Sequence, residues 1–195
     1  MRLLGMTALL RRPATTTAAV SVRPRALVVL AGLPGAGKTT LLGKLDAPVP
    51  VTVLDSDQVR EWIQARVSLP YRTYRVFVHL IHRFRVFWHA LFSPGLLVVH
   101  EPSTRPGTRA MLLVIGLVSL RPRHFLWLDA SAAEALDGQI ARHRLIRAHS
   151  FERHVRRADV MRDRFVAGWK PFGWGSVSLL TRSGTSGGLR LDLAS

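Results

Sequence analysis

The sequence predicts a single doubly wound α/β domain, in which a parallel sheet carries helices on both faces. Apolar runs suited to buried strands alternate with segments of helical periodicity along most of the chain. A glycine-rich segment directly follows the first of those runs, at the edge where such sheets bind ligands. The 195 residues are enough for one domain of this kind with a sizeable core.

The first strand is predicted over the apolar residues 26–30, and it leads into a phosphate-binding loop. The loop reads GLPGAGKT over 32–39, which is the spacing G-x-x-x-x-G-K-T. Its backbone N–H groups and the helix N-terminus that follows favour a bound phosphate. In this motif Lys38 reaches the β- and γ-phosphates of ATP, and the Thr39 hydroxyl holds Mg²⁺. The predicted nucleotide-binding residues are Gly32, Leu33, Pro34, Gly35, Ala36, Gly37, Lys38, Thr39 and Thr40.

The remaining elements follow from apolar runs, helical spacing and breaker residues. A capping box of Ser131 and Glu134 starts one of the helices. Further strands are predicted at 48–55, 96–101, 124–130 and 176–182. Helices are predicted after the loop and at 58–67, 71–92, 106–119, 131–144 and 151–169.

The two ends of the chain are predicted to lie outside the domain, which spans 26–185. Residues 1–25 lack acidic side chains and are interpreted as a disordered basic tail, and 186–195 as a polar tail. An organelle transit peptide, or a start codon placed too early with Met6 as the alternative, stays open for the first segment. We expect deletion of residues 1–24 to change the melting temperature little.

Composition excludes several classes of site. The chain has no cysteine, so disulfides, zinc–thiolate sites and a cysteine nucleophile are excluded. The longest apolar stretch, 110–120, is about half of the roughly 20 residues that a membrane span needs, so we expect a cytoplasmic protein without a membrane partner. The net charge of +16 comes mostly from arginine and implies attraction to polyanions such as nucleotides or RNA.

The segment VLDSDQVR at 53–60 places an acid pair at the carboxyl end of a predicted strand. With the loop, this pattern resembles the small P-loop kinases: adenylylsulfate kinase, gluconate kinase, chloramphenicol phosphotransferase and the zeta-toxin group. The resemblance implies that Asp55 or Asp57 orients or deprotonates the hydroxyl that receives the γ-phosphate, with Arg60 nearby. Asp57 as the N-cap of the helix at 58–67 is the alternative, and the two roles are compatible.

The resemblance covers about residues 26–185 and implies a three-layer P-loop fold with a short arginine-rich lid. The segment 141–157 resembles that lid, which makes Arg142, Arg144 and Arg147 candidates to stabilise the transferring phosphoryl group. A solvated basic helix face is the alternative. Thr181 and Arg182 match the strand-end loop that borders the adenine in these families.

Two further segments bear on the acceptor and the metal. The acid that usually closes the strand at 96–101 is replaced by His100, and whether the neighbouring Glu101 takes its role stays open. The helix at 71–92 has an aromatic face predicted to join the core. Its members are Tyr74, Val78, Ile81, Phe84 and Trp88. The opposite face is a candidate surface for an anionic acceptor, and it carries Arg72, Arg75, His79 and His82.

The sequence therefore predicts an ATP- and Mg²⁺-dependent kinase that acts on a hydroxyl of a small molecule or a nucleotide-like acceptor, with ATP hydrolysis as the fallback. A polynucleotide 5′-hydroxyl kinase and a non-catalytic ATP-binding regulatory module are the alternatives; a nucleic-acid partner is not favoured. Ras-type GTPases fit poorly because their guanine motif needs an asparagine, which the chain lacks. Large AAA-type motors fit poorly because too little chain follows the loop for their helical domain. The acceptor and the oligomeric state are not fixed by the sequence.

Overall fold

The computed structural model describes residues 15–102 and 104–194. Its elements alternate between strand and helix through most of the chain. The strands are β1 (Thr17–Val22), β2 (Leu27–Gly32), β3 (Leu45–Asp46), β4 (Val51–Asp55), β5 (Leu96–His100), β6 (Arg123–Asp129), β7 (Ser176–Thr181) and β8 (Gly188–Leu193). The helices are α1 (Lys38–Leu42), α2 (Ser56–Gln64), α3 (Tyr71–Phe92), α4 (Pro106–Val118), α5 (Ala132–Ile140) and α6 (Ala148–Val166).

The central sheet has five parallel strands in the order β4–β5–β2–β6–β7, with helices on both faces. Every residue of β2 is buried, because both faces of this middle strand are covered. The predicted α/β class, a parallel sheet with helices on both faces, is confirmed. None of the helices within the described part of the chain is long and apolar enough to cross a membrane.

The register of the sheet brings three strand ends together. Asp55 at the end of β4 is paired with His100 at the end of β5, and His100 is also level with Leu30 of β2. The glycine-rich loop leaves β2 at Gly32, two residues beyond that level. Parallel topology therefore places the acid pair, His100 and the phosphate-binding loop at one edge of the sheet.

A second, three-stranded sheet in the order β1–β8–β3 corrects the prediction of two tails. β1 pairs with β8 in parallel from Thr17 opposite Gly188 to Val22 opposite Leu193, and both strands contribute fully buried side chains. The short period-two pattern of Val20 and Val22 is hidden among Thr, Ala and Ser, and its partner lies at the far end of the chain. Deletion of residues 1–24 would remove a paired strand, so the structure predicts a lower melting temperature for this variant in place of the little effect expected from the sequence. The rest of the predicted N-terminal tail, 1–14, lies outside the described residues.

The long helix α3 has the predicted bounds, but its buried face differs from the prediction. The buried side chains follow steps of four residues: Tyr74, Val78, His82, Val86 and Ala90. Phe84 and Trp88, predicted to join the core, are 61% and 52% exposed, and His82, predicted on the basic face, is 1% exposed. A step of four residues overshoots the helical turn of 3.6 residues by about 40°. Over the 22 residues of α3 the buried stripe therefore winds around the helix and leaves the face predicted to join the core.

Candidate functional site

A cleft of about 990 Å³ opens at the carboxyl edge of the central sheet. It is bounded by the glycine-rich loop, the start of α2, the start of α3 and the chain from α5 into α6. Open α/β sheets bind ligands at this edge. Ten of the predicted site residues line it: Pro34, Gly35, Gly37, Lys38, Thr39, Asp55, Asp57, Arg142, Arg144 and Arg147.

The loop itself has the backbone that a phosphate site needs. Gly35 and Gly37 have φ angles of 92° and 99°, which side chains with a Cβ rarely adopt. A Cβ on Gly35 would lie 2.0 Å from the carbonyl oxygen of Ala135, so α5 fixes the path of the loop from behind. Gly37 precedes α1 and offers no side-chain cap. The first N–H groups of α1 are thus available to an anion.

Lys38 lies over the loop with its charge largely out of water. Its Nζ donates to the carbonyl oxygens of Gly32 and Leu33 at 3.0 and 2.8 Å, and the residue is 4% exposed. Burial lowers the pKa of Lys38 to about 8; the charge of Asp55 opposes this shift, while that of Arg142 adds to it. A cation in so dry a setting interacts strongly with an incoming phosphate.

Arg142, predicted as a lid residue, contacts the loop directly. Its Nη1 donates to Thr39 Oγ1 at 3.3 Å and its Nη2 to Thr40 Oγ1 at 3.0 Å. The exposed Thr39 hydroxyl is an oxygen ligand of the kind that Mg²⁺ accepts, so this position fits the ion. No cluster of three or more histidine and carboxylate side chains suited to a metal occurs within residues 15–102 and 104–194.

The two members of the acid pair have different contacts: Asp55 caps α2, and Asp57 contacts the lid residue Arg144. Asp55 is the N-cap of α2: its Oδ1 accepts from the Asp57 N–H at 2.9 Å, and Gln58 Oε1 accepts from the Asp55 N–H at 3.4 Å. The alternative that Asp57 caps the helix is wrong, because α2 begins at Ser56 rather than at residue 58. Asp57 instead accepts a hydrogen bond from Arg144 at 2.6 Å, which joins α2 to the chain after α5.

His100 is the functional candidate that sequence reasoning did not assign. Its Nδ1 forms a short hydrogen bond with Asp55 Oδ2. Burial alone would raise the pKa of Asp55, but the hydrogen bond and charge of His100, with the Asp57 N–H, outweigh burial and lower it. Asp55 is therefore an ionised carboxylate at neutral pH. The signal available in the sequence was that two neighbouring parallel strands both end in a polar side chain.

The neighbouring Glu101 faces a different histidine. Its Oε1 lies 3.4 Å from Nε2 of the buried His82, without hydrogen-bond geometry. Its negative charge also raises the pKa of Lys38, against the larger effect of burial. Glu101 thus adds negative charge near the loop, and His100, not Glu101, stands beside Asp55.

Thr181 and Arg182, the predicted adenine neighbours, lie outside this cleft. They line a separate depression of about 300 Å³ beside Ser131 and Glu134. Arg182 Nη1 donates to the carbonyl oxygen of Glu134 at 3.2 Å, so this depression adjoins α5, the helix that also contacts the loop. An adenine reaching there from the loop would pass along α5, and this placement stays a prediction.

Solved structures share this fold at low sequence identity. A chain of the PezAT chromosomal toxin–antitoxin system of Streptococcus pneumoniae is 13% identical with a TM-score of 0.59, covering 87% of this chain and 71% of that chain. A putative kinase from Chloroflexus aurantiacus is 14% identical with a TM-score of 0.57, covering 84% and 88%. A chain of the Pnkp1/Rnl/Hen1 RNA repair complex is 16% identical with a TM-score of 0.56, covering 74% and 47%. The expected resemblance to small P-loop kinases is confirmed in the fold.

Sequence comparison gives the family. No curated protein matches the chain. Residues 27–167, from β2 to the end of α6, match the family described as AAA domain. Because this match spans more than half of the 195 residues, the protein belongs to the AAA domain family.

Proposed function

We propose that the protein is an ATP-dependent kinase that transfers the γ-phosphate to a hydroxyl of a small or nucleotide-like acceptor. The proposal rests on one observation: the same cleft is lined by groups suited to bind phosphate and by a carboxylate suited to accept a proton. Lys38 and the glycine-rich loop supply a phosphate site, and the Asp55–His100 pair supplies an ionised carboxylate beside it. A kinase needs both, because catalysis of phosphoryl transfer is mostly positioning and charge stabilisation.

In the proposed reaction, the acceptor oxygen forms a bond to the γ-phosphorus while the bond from phosphorus to the β,γ-bridging oxygen breaks. ADP leaves with the electron pair of that bond, and the hydroxyl proton passes to the carboxylate of Asp55. His100 holds this carboxylate through Nδ1, and the Asp57 N–H holds its other oxygen. Mg²⁺ bound with the nucleotide would neutralise phosphate charge, with Thr39 as its protein ligand.

The arginines after α5 fit the charge that develops on the transferring group. Arg142 already lies against the threonine hydroxyls of the loop, and Arg147 lines the same cleft. Arg144 is paired with Asp57 at 2.6 Å and with Glu61 at 3.6 Å, so its role in the proposal is to hold this segment over α2. Delocalised guanidinium groups suit phosphate oxygens because they bind them with two donors at once.

An acceptor screen with γ-labelled ATP tests the proposal, with a no-acceptor control, an oligonucleotide with a free 5′-hydroxyl and the Lys38→Ala variant beside the native chain. We expect label in at least one small acceptor and its loss in Lys38→Ala. Label confined to inorganic phosphate would make the protein a hydrolase, and preferred labelling of the oligonucleotide would make it a polynucleotide kinase. Tight ATP binding without release of label would favour a regulatory module, which the His100 substitution first suggested.

A further inference from the structure

We propose that the acceptor is a small molecule with an anionic group, a phosphate or a carboxylate, and that Arg60, Arg72 and Arg75 bind this group. This inference rests on the proposed kinase function and names the class of its acceptor. The three arginines come from α2 and the first turns of α3, and all three line the cleft. They belong to different elements from the arginines that adjoin the phosphate-binding loop.

The charge of the cleft is far from balanced. Only Asp55 and Asp57 are acidic among the lining residues, and both already have partners in His100 and Arg144. The cationic side chains that line the cleft repel one another until anions enter it. The cationic residues of the lining are Lys38, Arg60, Arg72, Arg75, Arg142, Arg144, Arg147 and Arg153.

The phosphates of one nucleotide account for only part of this excess. Lys38 and Arg142 contact the loop, and Arg147 and Arg153 lie at the start of α6, on the lid side. Arg60 lies five residues along α2 from its cap Asp55, which is about 7.5 Å along the helix axis. The anionic group of an acceptor bound at Arg60 would therefore be separated from the Asp55 carboxylate, which receives the proton, by a distance that a small molecule can span.

Arg60 has the features of a donor built for a ligand. Its guanidinium carbon lies 4.5 Å from the ring centroid of Tyr71, so the aromatic face holds the plane of the group. Its Nε is buried and has no hydrogen-bond partner among the described residues. A buried unpaired donor is costly, and an anionic acceptor that enters the cleft would supply the missing oxygen.

Arg72 and Arg75 stand next to Tyr71 on the first two turns of α3. Both are exposed, and neither has a carboxylate partner within residues 15–102 and 104–194. Like charges three residues apart destabilise a helix, and an anion between them offsets this repulsion. The cleft volume of about 990 Å³ suits a nucleotide with a small acceptor, which favours a small anion over a polymer.

Binding and transfer test the inference separately. In the binding arm, inorganic phosphate is titrated into protein saturated with ADP and Mg²⁺. In the transfer arm, matched acceptors are compared with γ-labelled ATP: glycerol with glycerol 3-phosphate, and glucose with gluconate, so that the two pairs distinguish phosphate from carboxylate. Both arms use the native chain, the double variant Arg72→Gln/Arg75→Gln and the control Arg83→Gln, an exposed arginine of α3 outside the cleft lining.

We expect phosphate to bind the ADP-saturated native protein, and the double variant to weaken this binding about tenfold or more with ADP affinity unchanged. Arg83→Gln should change it less than about twofold. Charged acceptors should be preferred over their neutral partners, and that preference should shrink in the double variant. Equal phosphate binding in all three proteins, or transfer to a neutral acceptor or an oligonucleotide in preference to both charged acceptors, would overturn the inference. Absence of transfer to every acceptor would count against the kinase proposal instead, because the binding arm needs no turnover.

Discussion

The charge of Lys38 makes the phosphate-binding loop sensitive to pH. Burial lowers the pKa of this lysine from 10.5 to about 8 in the folded protein. At pH values between about 8 and 10.5, Lys38 is less protonated in the folded chain than in the unfolded chain. Its titration alone therefore raises the free energy of unfolding as the pH rises through this range. Nucleotide phosphates favour the protonated lysine, so ATP affinity should move in the opposite direction.

We therefore expect ATP affinity to fall about tenfold between pH 7 and pH 9, because the protonated fraction of Lys38 in the free protein falls by about that factor. Calorimetric titration at constant Mg²⁺ and ionic strength measures it. Lys38→Met removes the titrating group at similar length, so its weaker affinity should vary little over the same range. An equal pH dependence in Lys38→Met would show that another group is responsible.

The roles of Asp55 and His100 can be distinguished by substituting each residue in turn. Asp55→Asn keeps a good N-cap for α2 but removes the carboxylate base, so turnover should fall about 10²–10⁴-fold with the melting temperature nearly unchanged. His100→Asn keeps an amide donor where Nδ1 stood, so turnover should stay within about tenfold of native. Steady-state kinetics on the acceptor from the screen, beside thermal melts, measure both. A loss in His100→Asn as large as that in Asp55→Asn would transfer the role of base to the imidazole.

Helix α5 holds the phosphate-binding loop through two glycines that face each other. A Cβ on Gly138 would lie 2.1 Å from the carbonyl oxygen of Gly35, just as a Cβ on Gly35 would meet Ala135. The Gln139 side chain adds a hydrogen bond to the carbonyl oxygen of Pro34 at 3.0 Å. The distance between this helix and the loop is thus fixed by backbone contact, and the loop depends on α5 for its shape.

Gly138→Ala should push α5 away from the loop at a cost of about 1–3 kcal/mol, which lowers the melting temperature by roughly 2–12 °C and weakens ATP binding. Gly107→Ala is the matched control: it lies in the first turn of α4 with nothing within 4 Å of the added Cβ. There, alanine should leave the melting temperature unchanged or raise it slightly. Differential scanning fluorimetry compares the two, and equal effects would argue against the contact between α5 and the loop.

Elements whose signals are local could be predicted from the sequence. The capping box of Ser131 and Glu134 starts α5 as expected, with Glu134 Oε2 accepting from the Ser131 N–H at 2.8 Å. The loop motif, β2 and the bounds of α3 were likewise predictable, because glycine spacing and apolar runs determine them locally. The buried face of α3 was not, because a long helix with apolar residues on several sides takes its orientation from its neighbours.

Two features of the structure depend on contacts between distant parts of the chain, so no local sequence pattern predicts them. In the sheet β1–β8–β3, the pairing of β1 with β8 joins residues more than 170 positions apart, such as Thr17 and Gly188. Neither β1 nor β8 is apolar enough to be recognised as a strand from the sequence. The contact of His100 with Asp55 has the same origin, since it exists only once β4 and β5 are paired in register. The glycine-rich loop could thus be predicted from local spacing, while the contact of His100 with Asp55 required the assembled sheet.

The central claim, that this cleft binds ATP through the loop and Lys38, is tested most directly by calorimetric titration of Mg²⁺–ATP into the native chain and Lys38→Ala. The native protein should bind one ATP per chain. Lys38→Ala should weaken binding by about 10–100-fold, the loss expected for a charge-assisted contact to phosphate, with the melting temperature of the free protein preserved. Unchanged ATP affinity in a folded Lys38→Ala protein, or no ATP binding by the native chain, would contradict the account.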